Sequence, residues 1–252
     1  IEKRIKLFKK GDFDSKIIVS GEDELAVLSN NINEMVGNLK TLLNQKERLL
    51  SDVSHELRSP LAKIRLALAM VPRHKKIDDV EKQIKTLDSL ITNILLSDQM
   101  STPYSNLELK SLKVGVLVKD ALDLTFVKNV NIKLDVDCEV VVDRVKMSVA
   151  IKNLLENAYK YGGRDNEVSI SCNKKNHFVF VSVDDKGPGI PKKKVKEITK
   201  AFVRGDNASH SGFGLGLSIC DKVARAHGGS FVIKKNSFGG ASCIIKLPNK
   251  IK

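Results

Sequence analysis

The sequence predicts an α+β chain in two parts, a coiled-coil or four-helix-bundle region followed by an α/β sandwich, and three observations carry that prediction. Apolar residues recur at alternating spacings of three and four from Leu25 to Ile94, the signature of packed helices. The tract Ser101-Thr102-Pro103-Tyr104-Ser105-Asn106 then has the composition of a linker. Beyond it, short β-rich runs alternate with helical patterns, which predicts a layered domain with one sheet face covered.

In chain order, Glu22-Asp23-Glu24-Leu25 after Gly21 opens a helix, with acidic residues in the first turn where the helix dipole favours them. Leu25, Leu28, Ile32, Met35, Val36, Leu39 and Leu42 continue the stripe past the isolated Gly37. A continuous stalk should therefore run on through Leu50, Val53, Leu57, Leu61, Ile64 and Leu68. His55 falls off this seam, so its ring should face solvent, with Ser59 one turn on sharing its face. Pro60 removes a backbone donor and clashes with the preceding turn, so the helix should bend or loosen just beyond the histidine.

The pattern breaks from Val71 to Ile77, where Pro72 and a basic cluster predict a turn. A second helix carries Val80, Ile84, Leu87, Ile91 and Ile94 on its stripe. An antiparallel hairpin of two helices buries too little by itself. Two copies should pair as a homodimer around a four-helix bundle. After the linker the pattern predicts helices over 114–126, 143–161 and 217–227, and strands over 132–136, 140–142, 168–172, 178–183, 230–234 and 241–246.

The 252 residues carry no Trp and a net charge of +13. The lysines are scattered and no basic arm interleaved with aromatics occurs, so nucleic acid is not an expected partner, while anionic lipid or an acidic protein surface suits the charge. Cys138, Cys172, Cys220 and Cys243 form no CxxC pair and read as reduced core residues without a zinc site. No apolar run reaches bilayer-spanning length and no signal peptide opens the sequence, so this stretch is expected to be soluble. It begins at Ile1 inside an amphipathic pattern and reads as a fragment of a longer protein.

Chemistry concentrates in four places. Asn153, Asn157 and Lys160 lie on one face of a helix, where amide oxygens suit a hard cation and the ammonium suits phosphate. Asp184-Asp185-Lys186-Gly187-Pro188-Gly189 follows a buried strand; a carboxylate there can accept a hydrogen bond from an exocyclic amine, and the glycines let a ligand approach the backbone. Gly212-Phe213-Gly214-Leu215-Gly216-Leu217 runs into a helix whose free N–H groups can receive phosphate. It is neither a Rossmann fingerprint, since Leu217 stands where the third glycine belongs, nor a Walker loop. The polar stretch between the two glycine loops, with Arg204, Gly205, Ser209 and Ser211, has the composition of a mobile lid.

Together, His55-Glu56-Leu57-Arg58-Ser59-Pro60, Asn153 to Asn157 with Lys160, Asp185-x-Gly187-x-Gly189, Phe202 with Arg204, and Gly212-x-Gly214-Leu215-Gly216-Leu217 closely resemble the H, N, G1, F and G2 boxes of bacterial sensor histidine kinases of two-component systems, in order and spacing. Gly21-Glu-Asp-Glu-Leu with Asn33-Glu-Met35 is similar to the second half of a HAMP relay module. The resemblance implies HAMP and signalling helix over 1–45, a dimerisation and phosphotransfer hairpin over 46–102, and a GHKL or Bergerat-like ATP-binding domain over 103–252. It implies that His55 accepts the γ-phosphoryl of ATP on Nε2, with Glu56 as base or ring orienter and Arg58 and Ser59 beside it. Asn157 would bind Mg²⁺, Asn153 and Lys160 would support the phosphates, and Tyr161 would lie near the base. Asp185 would recognise adenine beside Gly187 and Gly189, Arg204 next to Phe202 would reach the γ-phosphate, and Gly212, Gly214 and Gly216, with Leu215 and Leu217, would form the lid hinge. The phosphoryl group would pass to an aspartate of a separate response regulator. A cytoplasmic portion of a membrane sensor, anchored through a missing N-terminal segment, is the implied setting.

This chain departs from the family's pattern at three places. Ser59 stands where Thr or Asn commonly orients the water that dephosphorylates the regulator, so a phosphatase activity turns on that residue. Lys186 replaces a common Asn, and Lys200-Ala201 replace Glu-Pro before Phe202. A GHKL-type ATPase or a silent nucleotide-binding scaffold leaves His55 without a role, and a metalloprotease reading fails because Ser59 stands where the second zinc histidine belongs. His74, His177, His210 and His227 read as surface or capping residues.

Overall fold

A computed structural model describes residues 8, 13–18, 21, 23–71, 75–100, 107–134, 138–162, 167–203 and 213–249. The chain divides into two compact units, Ile1–Ser105 and Asn106–Lys252. In the first, helix α1 spans Glu24–Ala69 and α2 spans Lys75–Gln99. Asp23 caps α1, its carboxylate accepting the Ala26 N–H at 2.9 Å, and Glu24 is the acidic residue of the first turn. The 13–18 segment lies against α1. Asn33 accepts the Ile17 N–H at 2.8 Å and donates to the Ile17 carbonyl at 2.9 Å, and Ile17 is buried.

Helix α1 continues through Pro60 as one element of 46 residues. Proline cannot donate to the Glu56 carbonyl, and the helix nonetheless runs on past it. Within the hairpin, Ile77, Ile84, Leu96 and Met100 are buried, whereas Val53, Leu57, Ile64, Val80, Leu87 and Ile94 stay exposed. The apolar stripes thus separate into an inner set that closes the hairpin and an outer set that it leaves open.

The second unit begins with β1, Leu109–Lys113, which the sequence reading missed because Leu-Lys-Ser-Leu-Lys shows no alternation. Its strand character comes from antiparallel pairing with β3, Glu139–Asp143. Helix α3 spans Val114–Asp123, β2 Val130–Leu134, α4 Arg144–Tyr161, β4 Val168–Lys175, β5 Phe178–Asp185, α5 Lys192–Ile198, α6 Gly216–Ala226, β6 Ser230–Lys235 and β7 Ala241–Pro248. The predicted strand at 132–136 lies two residues early and ends at Leu134; positions 135–137 are outside the described residues. The lysine-rich α5 was also missed, since it has no apolar stripe to read.

The main sheet has the order β2-β4-β5-β7-β6, with β2 parallel to β4 and the other neighbours antiparallel. Alternation sends Val168, Ile170 and Cys172, then Val179, Val181 and Val183, then Cys243, Ile245 and Leu247 into one buried layer. Met147, Ile151, Leu154 and Leu155 of α4, Leu117 and Val118 of α3, and Ile219 and Val223 of α6 fill that layer. Burial of each such side chain contributes about 1.5–3 kcal/mol. All four cysteines are buried and none forms a disulfide.

Candidate functional site: a nucleotide cradle and a surface histidine

Asp185 is the last residue of β5, two on from Val183, so alternation points its carboxylate into the helix-covered layer. Its Oδ1 accepts the Gly187 N–H at 2.8 Å and the Ala241 N–H at 3.0 Å. Among the described residues, Oδ2 receives no hydrogen bond. At Gly187 an added Cβ would stand 2.2 Å from the Tyr161 carbonyl oxygen, so the first glycine loop packs on the end of α4 at a distance only glycine permits. Gly189 follows in the same loop.

On α4, Asn153 is buried and Asn157 is half-buried. An added Cβ at Gly216 would lie 3.3 Å from Asn157 Nδ2 and 3.7 Å from Asn153 Cβ. The first residue of α6 therefore sits directly against the amide stripe, and its unsatisfied N–H groups open beside it. Lys160 sits with Nζ 5.0 Å from the Tyr161 ring centroid. The Asn157 amide makes no hydrogen bond to any described residue.

Phe202 and the second glycine loop are joined: the Phe202 N–H donates to the Gly214 carbonyl at 3.0 Å. Both have positive φ, 64° and 71°. Leu215 is buried as an anchor, and Ser218 donates to its carbonyl at 2.8 Å; Leu217 is half-buried on the first turn of α6. Arg204 and Gly212, with Gly205, Ser209, His210 and Ser211, lie outside the described residues, as do Pro72 and His74.

The seating of α6 depends on residues the sequence reading did not single out. Cys220 donates its thiol to the Ala150 carbonyl at 3.3 Å. His227, expected at the surface or as a cap, is the C-cap of α6 and is buried. Its Nε2 accepts the Asp143 N–H at 3.0 Å, and its Nδ1 lies 2.7 Å from the Val223 carbonyl. A backbone N–H can only donate and a carbonyl can only accept, so the ring is the neutral Nδ1–H tautomer. Burial lowers its pKa, against the Val223 hydrogen bond and Asp143, which raise it; Lys146 lowers it further.

Asp143 in turn caps α4, accepting the Lys146 N–H at 3.1 Å and the Lys146 ammonium at 3.0 Å. Burial pushes its carboxyl up, yet these bonds and the Glu108 N–H hold it below the ordinary carboxylate value. The buried thiols are unreactive by the same physics: burial raises Cys220, and Cys243 is pushed up to about 12.

In the first unit His55, Glu56 and Ser59 are all exposed on α1. Arg58, expected with them among the catalytic side chains, is instead turned across the hairpin. Its Nη2 donates to Thr92 Oγ1 at 3.1 Å, and its Nε lies 3.7 Å from Asp88 Oδ1. It ties α1 to α2 one turn below the histidine. Among the described residues no group of three or more His, Cys, Asp and Glu side chains gathers as for a metal ion, and no helix is long and apolar enough to cross a membrane.

One unit thus carries an exposed histidine on a helical hairpin, and the other gathers an amide stripe, a carboxylate and the described part of two glycine loops. Residues 45–102 match the His Kinase A (phospho-acceptor) domain. Residues 142–251 match the histidine kinase-, DNA gyrase B- and HSP90-like ATPase family. The signal transduction histidine-protein kinase BaeS of Escherichia coli K12 is 25% identical over 94% of this chain and 54% of its own length. The sensor histidine kinase CpxA of the same strain is 28% identical over 91% of this chain and 52% of its length. The crystal structure of full-length ShkA in complex with AMPPNP shares the fold, with a TM-score of 0.62 at 23% identity over 80% of this chain and 45% of that one. The matched phospho-acceptor and ATPase domains occur here in one chain, and both of these relatives are sensor histidine kinases. The chain spans about half the length of the curated relatives it matches (54% and 52%).

Proposed function

We propose that this chain is the kinase core of a two-component sensor, binding Mg-ATP in the 106–252 unit and phosphorylating His55. The observation that carries the reading is the Asp185 carboxylate, with Oδ1 fixed by two backbone N–H groups and Oδ2 left open. That arrangement suits an exocyclic amine such as the one on adenine, with Tyr161 and Gly189 beside the base. Asn153, Lys160 and the α6 N-terminus at Gly216 then receive the phosphates, and the γ-phosphate is the role assigned to Arg204.

The Asn157 oxygen, half-buried and without a described partner, fits a hard cation that keeps most of its waters. Mg²⁺ held there would neutralise charge on the phosphates. Nε2 of His55 attacks the γ-phosphorus as its bond to the β–γ bridging oxygen breaks; ADP leaves, and Glu56 takes the ring proton. Catalysis rests on positioning and charge neutralisation. Arg58 holds the hairpin that presents His55, and Gly212, Gly214 and Gly216 hinge the lid.

The phosphoryl group then passes to an aspartate of a response regulator, and a phosphatase activity that releases it from that aspartate as inorganic phosphate turns on Ser59. The exposed stripes of α1 and α2 support a homodimer. The Asn33 clamp on Ile17 supports a relay module over 1–45, within a sensor anchored in the membrane by another segment and carrying this portion in the cytoplasm.

The test is incubation with γ-labelled ATP and Mg²⁺, alongside His55→Gln and Asn157→Ala. Acid-labile, base-stable label should attach to the parent chain and be lost in both variants. Label retained by His55→Gln would refute the assignment of the phospho-acceptor.

A further inference from the structure

We infer that Asn236 is a positioning residue for adenine recognition, acting through Asp185. This rests on the reading of Asp185 as the adenine acceptor and extends it to a residue in the β6–β7 turn, outside every motif discussed above.

The argument starts from where the sheet ends. The β5–β7 ladder runs from Phe178↔Pro248 to Asp184↔Ser242 and stops there. The next rung would pair Asp185 with Ala241, and side chains make it instead. The Ala241 N–H donates to Asp185 Oδ1 at 3.0 Å. The Asn236 amide donates one hydrogen to the Asp185 carbonyl at 2.7 Å and the other to the Ala241 carbonyl at 3.1 Å. Its remaining polar atom, Oδ1, accepts the Phe238 N–H at 3.1 Å. Every atom of this amide with a strong hydrogen-bonding role is used, and two of its three bonds hold the strands on either side of the recognition carboxylate.

Backbone contacts make the arrangement tight. The Asn236 N–H donates to the Gly240 carbonyl at 3.0 Å, closing the turn. A Cβ at Gly240 would stand 2.1 Å from the Asp185 carbonyl oxygen and 2.6 Å from Oδ1, so the turn lies directly on the carboxylate. Displacing the Asn236 amide releases the Asp185 carbonyl and the Ala241 strand end together, and with them the direction of Oδ2. A site built to hydrogen-bond one group discriminates only while its own polar atoms are held in place.

A residue that merely shapes the turn predicts something different. In that case the needed bond is Oδ1 to the Phe238 N–H, which aspartate reproduces and alanine does not. If the amide instead bridges two carbonyls beside Asp185, aspartate is the worse replacement, because it sets a carboxylate against two carbonyl oxygens and a second carboxylate.

The experiment measures competition of two nucleotides against a fluorescent ATP analogue on the full chain, its Asn236→Ala and Asn236→Asp variants, and Asp185→Asn. The nucleotides are ATP and purine riboside triphosphate, which lacks the exocyclic amine but keeps the ribose and phosphates. The parent should prefer ATP by about tenfold or more, and Asp185→Asn should abolish the preference. Asn236→Ala should cut the preference about fivefold and Asn236→Asp should bring it near one, with affinity for purine riboside triphosphate unchanged within about twofold in both. The inference is overturned if the two nucleotides weaken together, as in a turn needed only for folding, or if Asn236→Asp keeps the preference. A parent chain that binds both nucleotides equally overturns the adenine reading of Asp185 and the inference with it.

Discussion

A methyl group added at Gly216 would sit 3.3 Å from Asn157 Nδ2, whereas one at Gly187 would sit 2.2 Å from the Tyr161 backbone oxygen. The first neighbour is a side-chain amide that can give way; the second is backbone and cannot. Gly216→Ala, in the first turn of α6, should leave the melting temperature within about 3 °C of the parent, or raise it, through reduced unfolded-state entropy. Autophosphorylation should still fall about tenfold as the amide leaves its place. Gly187→Ala should instead cost about 1–3 kcal/mol and lower the melting temperature by several degrees. Thermal melts beside labelling rates separate the two, and equal melting losses would refute the distinction. At this scale the sequence reading was strongest where a side chain's placement follows from its own element. Asp185 at a strand end and the Asn153–Asn157–Lys160 stripe are such cases. It was blind where the partner is remote: the Asp185 carboxylate is bonded by Ala241, 56 positions away, and Arg58 finds Asp88 and Thr92 only once the hairpin register is fixed.

Helices α4 and α6 carry the amide stripe and the second glycine loop, and the neutral His227 bond to the Asp143 N–H fastens the end of one to the start of the other. Protonation would place a second donor against that N–H, so it must break the tie. His227 has a folded-state pKa below its unfolded value of 6.5 because burial disfavours the cation. Between those two values the unfolded chain binds a proton that the folded chain does not, so stability is complete above about 6.5 and is lost as pH falls from there toward the folded pKa. Asp143 and Lys146, the charged groups facing the ring, pull in opposite directions. Melting temperature of the full chain should therefore drop between pH 7.5 and 5.5, and His227→Gln should melt lower at pH 7.5 but with a shallower pH slope. Equal slopes would remove His227 from the account. Element types were legible wherever periodicity was strong, as in α1, α2, α4, β4, β5 and β7. The exceptions were β1, made a strand by its partner β3, and α5, made a helix without an apolar face. His227 is the helix-end residue it looks like, but nothing local announces that β3 will close over it.

For the whole molecule, the exposed apolar residues of the first unit are spaced for a second copy. Leu28, Met35, Leu42 and Leu49, then Leu57, Ile64 and Val71, then Val80, Leu87 and Ile94 each recur every seventh position, and all are exposed. A strict seven-residue repeat keeps one seam facing a partner helix along its length. The hairpin's own contacts use a different set, Ile77, Ile84, Leu96 and Met100, so the outer stripes are not needed to close it. Leu87→Glu should accordingly split the dimer without unfolding the hairpin. Leu87 is 46% exposed in one copy, so a partner can bury about half of it, and twofold symmetry brings the loss to about 1.5–3 kcal/mol, before the added cost of desolvating a carboxylate. The dimer dissociation constant should rise at least about tenfold, read by sedimentation at micromolar chain. Glu at Lys82, an exposed position off these stripes, should leave it unchanged. Nucleotide affinity in the 106–252 unit should survive Leu87→Glu, because every described contact of the cradle lies within that unit. A Leu87→Glu protein that still sediments as the parent dimer would show that these repeats are not the dimer seam.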